Sequence, residues 1–130
     1  MNIIVGTDGK PHSEKAVEFS FAYAKAFRGT LYIMYIVSPK AQEDKDKNIK
    51  NGMRVLGRAK IRASEVGVDI ATLLEAGEPQ DTILLAAEKL DADCIILGSS
   101  GEKSGLAKIM GSSVSDTIFK NANCTVVVVR

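Results

Sequence analysis

The feature that most constrains the fold is a regular alternation between short apolar runs and longer stretches with helical spacing. Runs rich in branched and aromatic residues are typical of strands. Five such runs are predicted to be strands, at 2–5, 30–37, 68–75, 93–97 and 125–129. Because helical patterns separate the strands, the chain is predicted to form right-handed crossovers and one parallel sheet. The expected fold class is α/β, an open sheet with helices on both faces.

Four helices are predicted between these strands. The first begins at Ser13, which can cap it, and closes at Gly29. The second follows a polar loop at 40–51 and reaches about Val66. Its apolar positions at helical spacing are Met53, Leu56 and Ala63. The third starts near Pro79, a residue favoured in the first turn of a helix, and the fourth covers Ser113 to Asn121.

Composition favours one compact domain without an overall electrostatic attraction to nucleic acid or membranes. The 130 residues are 45% hydrophobic and 25% charged, and 17 basic against 16 acidic residues give a net charge of +1. The second helix carries a basic stripe, formed by Lys47, Lys50, Arg54 and Arg58. An ordinary solvated face is favoured there over a surface for nucleic acid or an acidic partner. No apolar run approaches the roughly 20 residues that span a bilayer, and no leader pattern opens the chain, so a cytoplasmic protein is expected.

Cysteine and histidine content gives no indication of a disulfide framework or a metal site. Cys94 lies in a strand-like run and Cys124 follows a turn, so reduced thiols are expected. His12 is the only histidine and has no Cys-x-x-Cys pair to complement it. Beside Pro11, it is interpreted as a solvent-facing turn residue without a role.

The informative loops of such a sheet follow the carboxyl ends of its strands, where ligands bind. Neither common phosphate fingerprint is present, because Glu102 precedes Lys103-Ser104 and the first strand ends in Gly6-Thr7-Asp8-Gly9. A spaced pattern remains: Gly98-x2-Gly101, nine residues, then Gly111-Ser112 at a helix start. Glycines at a strand exit and free N–H groups at a helix start can hold phosphates from two directions.

The spaced glycine pattern, Asp8 directly after the first strand and the closing "CTVVVVR" together resemble the universal stress protein family, in its ATP-binding branch. The resemblance covers essentially the whole chain. It implies a five-stranded parallel sheet in the order 3-2-1-4-5, and residues 1–130 forming a single nucleotide-binding domain.

The resemblance also implies a nucleotide site whose residues transfer by position. Asp8 resembles the family carboxylate that bonds the ribose hydroxyls, and Ile36 the residue whose backbone pairs with the adenine edge. The ten residues implied as the cofactor-binding set are Gly6, Thr7, Asp8, Ile36, Leu97, Gly98, Gly101, Gly111, Ser112 and Ser113. The expected ligand is ATP, with AMP or another adenine nucleotide left open, together with a Mg or Mn ion. No catalytic residue is assigned, and any hydrolysis is expected to be slow because no well-placed general base is visible.

The last strand implies a homodimer. Val126 to Val129 lie at the sheet edge in the family fold, where unpaired backbone groups invite a second copy. The leading hypothesis is an ATP-binding stress-response module that acts as a nucleotide-dependent dimeric switch on an unidentified protein partner. Two alternatives stay open: a dimeric stress or scaffold protein of the same fold that binds no nucleotide, and a small adenylating enzyme of the wider adenine nucleotide α-hydrolase type. A phosphoacceptor receiver is excluded because it requires an acidic pair, whereas Asp8 stands alone.

Overall fold

The computed structural model describes residues 1–37, 44–99 and 114–130. Helices and strands alternate along these ranges as β1 (Asn2–Thr7), α1 (Pro11–Phe27), β2 (Thr30–Val37), α2 (Lys45–Glu65), β3 (Ile70–Ala76), α3 (Pro79–Lys89), β4 (Cys94–Gly98), α4 (Val114–Asn121) and β5 (Thr125–Val129). The alternation predicted from the sequence is confirmed.

The strands form one parallel sheet in the order β3-β2-β1-β4-β5. The chain first builds outward from β1 to β3 and then crosses to β4 on the other side of β1. The strand order therefore reverses between β1 and β4, and the order implied by the family resemblance is confirmed. In such a sheet the crevice at the reversal is where ligands bind.

Two apolar layers cover the sheet, one on each face. On one face α1 and α2 pack through Val17, Phe21 and Val55 against inward side chains of the central strands. On the other face α3 and α4 contribute Ile83 and Ile118. Burial on both faces explains why the central strands are apolar at nearly every position rather than at every second one.

Two predicted helix boundaries are wrong. Helix α1 starts at Pro11 rather than Ser13, and its N-cap residue is Lys10, so Ser13 lies inside the first turn. Helix α2 starts at Lys45, well inside the segment predicted to be a loop. That segment is polar because one side of α2 faces solvent, and charged residues such as Lys are good helix formers.

The predicted apolar face of α2 is partly wrong as well. Met53 is 62% exposed, whereas the buried positions of the helix are Gly52, Val55, Leu56, Ala59 and Ala63. Small residues take three of these five positions because the helix lies close to the sheet. A Cβ atom at Gly52 would come within 2.7 Å of the side chains of Leu74 and Tyr35. Small inward residues do not stand out as an apolar face in the sequence, which is why the predicted apolar face of α2 includes Met53.

Both cysteines are free thiols. Cys94 is fully buried on β4, and Cys124 is partly buried before β5. Burial raises the pKa of each thiol above its ordinary value, so both stay protonated near neutral pH.

Across the described ranges, none of the helices combines the length and apolar character that crossing a bilayer requires.

Candidate functional site

A cleft opens at the carboxyl ends of β1, β2 and β4, where the strand order reverses. Its volume is about 190 Å³, and its lining includes six of the ten residues implied as cofactor-binding: Gly6, Thr7, Asp8, Ile36, Leu97 and Gly98. The structure thus brings together residues from three strands that are far apart in the sequence. The remaining four, Gly101, Gly111, Ser112 and Ser113, lie outside the described residues.

One wall of the cleft is apolar. Met34 and Ile36 come from β2, Ile83 from α3 and Leu97 from β4. These side chains belong to or pack against the core layer under α3 and α4, so their positions are fixed by the packing of the fold. A rigid apolar wall of this kind suits a flat, weakly polar ring.

Three helices start at the same cleft. Residues at the beginnings of α1, α3 and α4 line it, including His12, Pro79 and Val114. The N-terminus of each helix carries a partial positive charge and N–H groups without intrahelical partners. Because three such ends converge, the electrostatics of the cleft favour an anionic ligand.

The turn from β1 to α1 depends on Gly9. Its φ of +82° is in the left-handed region, and a Cβ atom there would lie 2.7 Å from Cγ2 of Val55. Thr7 completes the turn: its hydroxyl accepts from the Gly9 backbone N–H at 3.1 Å and donates to Oε2 of Glu14 at 3.0 Å. A third contact joins it to the Ser13 hydroxyl at 3.0 Å. Thr7 therefore lines the cleft with its hydroxyl already committed to protein groups.

Asp8 is the carboxylate of the cleft, and the same turn holds it. Its Oδ1 accepts from the Lys10 backbone N–H at 2.9 Å and from the Ser13 hydroxyl at 2.6 Å. The Asp8 backbone N–H donates in turn to the Ser13 hydroxyl oxygen at 3.1 Å. Ser13 thus orients the carboxylate rather than capping the helix. The Asp8 side chain remains 47% exposed and can meet a ligand.

Ion pairs fix the start of α1 against α2. Arg62 of α2 donates to Oε1 of Glu14 at 3.0 Å and also bonds to Glu18. Burial works to lower the pKa of Arg62, but hydrogen bonds to Glu18 and Glu14 outweigh it and raise the pKa. Arg62 is thus charged at any working pH. Because Glu14 also accepts from Thr7, the pairing extends from α2 to the cleft.

Gly98 has a packing role that is visible without a ligand. A Cβ atom there would lie 2.2 Å from the His12 carbonyl oxygen and 3.0 Å from Cα of Ser13. Because no real Cβ approaches backbone this closely, the end of β4 can touch the start of α1 only through glycine. Gly6 is less restricted, since its nearest neighbour would be the flexible end of Ile83 at 3.2 Å.

His12 is the residue that the sequence interpretation missed. It lies in the first turn of α1, its side chain is 30% exposed, and it lines the cleft beside Asp8. The interpretation as a solvent-facing turn residue is therefore wrong about its place. Pro11 was the available signal. A proline favours the first helical position, which would have put His12 in the first turn of the helix that follows Asp8.

A larger cleft, of about 550 Å³, lies between α3 and α4 at the amino end of the sheet. It is lined mostly by the end of α3 and by residues 121–124, and it contains Asp81, Glu88 and Asp91. None of the six predicted site residues that the structure describes lies on it. Because the carboxylates there would repel an anion, the smaller cleft is the candidate nucleotide site.

Comparisons with known proteins agree with the fold. The sequence model of the universal stress protein family matches residues 1–130. A universal stress protein of Methanocaldococcus jannaschii is 34% identical over 98% of this chain and 81% of its own. A solved universal stress protein in complex with cAMP superimposes with a TM-score of 0.82 at 25% identity, covering 100% of this chain and 96% of the other. A universal stress protein of Archaeoglobus fulgidus in complex with dAMP has a TM-score of 0.79 at 24% identity, covering 100% and 98%.

Proposed function

We propose that this chain, which belongs to the universal stress protein family, binds an adenine nucleotide, with ATP as the expected ligand, in the cleft between β1 and β4. The observation that carries the proposal is the meeting of Asp8, an apolar wall and three helix starts at the reversal of strand order. A related protein of the same fold binds cAMP, which supports an adenine nucleotide as the ligand class.

The described residues fit the base and sugar of such a ligand. Pockets that bury whole drug-sized ligands measure about 300–1,000 Å³, and the described cleft of about 190 Å³ suits a base with its sugar. The adenine ring would lie on the apolar wall with its edge against the Ile36 backbone. A sugar hydroxyl would donate to Asp8, and the phosphates would extend along the helix starts. Gly101, Gly111, Ser112 and Ser113 are proposed as further phosphate contacts from the sequence pattern alone.

A Mg or Mn ion is proposed to accompany the phosphates rather than to have a protein site of its own. Within residues 1–37, 44–99 and 114–130, no group of three His, Cys, Asp or Glu side chains could hold a metal. An ion bound with the nucleotide would thus rely mainly on phosphate oxygens and water, as Mg²⁺ commonly does.

The proposed role is regulatory rather than catalytic. In the described lining of the cleft, the ionisable side chains are Asp8 and His12, and Asp8 is assigned to the sugar. A nucleotide held there would set the state of a dimeric stress-response module in the cytoplasm, with slow hydrolysis at most.

The exposed edge of β5 supports a homodimer. Within the described part of the chain this strand pairs with β4 alone, and Val128 is 43% exposed. An aromatic row runs along α1, a helix that contacts β4 and β5: the ring centroids of Phe19, Tyr23 and Phe27 are 5.9 and 4.6 Å apart, and two of the three rings are exposed. An unpaired strand next to exposed aromatic surface is typical of an interface between chains.

Replacing Val128 by Asp is expected to dissociate the dimer. The change places one carboxylate per chain at the paired edge, where the two charges repel and lose contact with water. Sedimentation equilibrium of the unmodified protein at micromolar concentration should give twice the 13.9 kDa mass of one chain. For Val128→Asp the dissociation constant should rise at least about tenfold, the equivalent of 1.4 kcal/mol.

Met53→Asp is the matched control, because Met53 is an exposed apolar residue on α2, which packs over β2 and β3 rather than β5. It should sediment as the unmodified protein does. A single-chain mass for the unmodified protein would remove the dimer proposal.

Nucleotide binding can be tested directly. Purified protein is denatured and the supernatant is examined for adenine nucleotide by chromatography; nucleotide-free protein is then titrated with ATP in a calorimeter. Saturable ATP binding is expected, and inorganic tripolyphosphate should bind more weakly because it cannot use the apolar wall. If neither nucleotide release nor ATP binding is detected, the nucleotide-free scaffold of the same fold becomes the better reading.

A further inference from the structure

The two carboxylate oxygens of Asp8 are not equivalent. Oδ1 accepts two hydrogen bonds, from the Lys10 backbone N–H and the Ser13 hydroxyl. A carboxylate offers about four acceptor positions in all, so these two donors occupy the share of Oδ1. A sugar hydroxyl would have to displace a bond of the β1–α1 turn in order to use that oxygen. Oδ2 is therefore the acceptor available to a ligand.

The neighbour of that free oxygen is His12. Its Nε2 lies 3.7 Å from Oδ2, too far for a good hydrogen bond between the two side chains. Both residues line the cleft and both are partly exposed, His12 at 30% and Asp8 at 47%. A carboxylate oxygen that accepts thus lies next to an imidazole nitrogen that can donate or accept.

We propose that Asp8 Oδ2 and His12 Nε2 together read the two adjacent hydroxyls of the ribose, which makes His12 a specificity-determining residue for ribonucleotides over deoxyribonucleotides. One hydroxyl donates to Oδ2, and its neighbour bonds to Nε2. The inference rests on the proposed nucleotide site. It goes beyond that proposal because it gives the second hydroxyl a partner other than the carboxylate: the turn occupies Oδ1, and His12 Nε2 lies 3.7 Å from Oδ2.

The test is a set of calorimetric titrations with AMP, 2′-deoxy-AMP and 3′-deoxy-AMP on the unmodified full chain and on His12→Phe. The phenyl ring keeps the flat shape of imidazole but has no nitrogen. In the unmodified protein AMP should bind more tightly than either deoxynucleotide. The first affinity ratio, against the nucleotide that lacks the hydroxyl bonded to the carboxylate, should be about tenfold or more. The second, against the nucleotide that lacks the hydroxyl bonded to imidazole, should be about three- to tenfold. In His12→Phe the second ratio should fall to within about twofold of one, while the first stays as it was.

His12→Gln is the conservative control, since its amide can donate or accept as the imidazole does, and it should restore part of the lost discrimination. Thermal unfolding of both variants measures any general loss of stability. The two ratios give a second check, because only a lost hydroxyl contact changes one affinity ratio and leaves the other unchanged. Unchanged ratios in His12→Phe overturn the inference alone. Absence of binding by all three nucleotides in the unmodified protein overturns the proposed function together with it.

Discussion

Replacing Asp8 by Asn is expected to weaken ATP binding about ten- to a hundredfold, because a hydrogen bond to a charged group contributes about 1.5–3 kcal/mol. The amide oxygen can still accept from the Lys10 N–H and the Ser13 hydroxyl, so the turn should persist. The amide nitrogen in place of Oδ2 cannot accept from a sugar hydroxyl. Removing a negative charge beside an anionic ligand would by itself strengthen binding, so a weaker affinity identifies the lost hydrogen bond as its cause.

Calorimetric titration measures this effect, with Asp69→Asn as the matched control. Asp69 is exposed just before β3, at the opposite end of the sheet, and has the same charge change without a place in the cleft. The control should bind ATP as the unmodified protein does. Equal affinity in Asp8→Asn and the unmodified chain would remove Asp8 from the site.

Replacing Gly98 by Ala is expected to destabilise the fold by roughly 2–3 kcal/mol and to abolish nucleotide binding with it. The added Cβ would lie 2.2 Å from the His12 carbonyl oxygen, which is backbone and cannot turn away. Relieving the clash requires β4 and α1 to separate, and forced overpacking typically costs about 1–3 kcal/mol. Separation would also displace His12 and Ser13, and with them the bonds that hold Asp8.

Chemical unfolding at a fixed protein concentration measures the change, and Gly57→Ala is the matched control. Gly57 lies inside α2, and a Cβ atom there would meet no heavy atom within 4 Å. Alanine is favoured over glycine in a helix by about 1 kcal/mol, so this variant should be slightly more stable than the unmodified protein. The same glycine-to-alanine substitution should therefore lower the free energy of unfolding at position 98 and raise it at position 57. A stable Gly98→Ala variant would show that β4 does not depend on this contact.

Much of the site was predictable because the ends of strands are marked locally. Gly6, Thr7 and Asp8 at the end of β1 and Gly98 at the end of β4 interrupt apolar runs, and their place at the carboxyl edge of a parallel sheet follows from the alternation itself. The orientation of Asp8 was not predictable in this way. It depends on Ser13, whose role changed once the helix began two residues earlier than its pattern indicated.

Helix α2 shows why amphipathic patterns fail where packing is close. Its inward face carries Gly52, Ala59 and Ala63 beside Val55 and Leu56, and at Gly52 the helix lies against Tyr35 and Leu74. Small residues contribute little to a periodic signal, so an exposed Met53 was mistaken for core. The size of an inward residue is set by the distance between the helix and the neighbouring strand. That distance cannot be predicted from the sequence of the helix alone.

The sequence by itself determined the number and order of helices and strands, because periodicity and turn residues act over a few neighbouring positions. The order of strands in the sheet came from family resemblance and then from the structure, since it depends on which apolar faces pack together over long separations. The family resemblance implied that Ile36, Gly98 and Asp8 share a site, and the tertiary structure brings them together in one cleft. The tertiary structure alone placed His12 Nε2 3.7 Å from Asp8 Oδ2, because the close approach of β4 to the start of α1 through Gly98 sets the position of that helical turn.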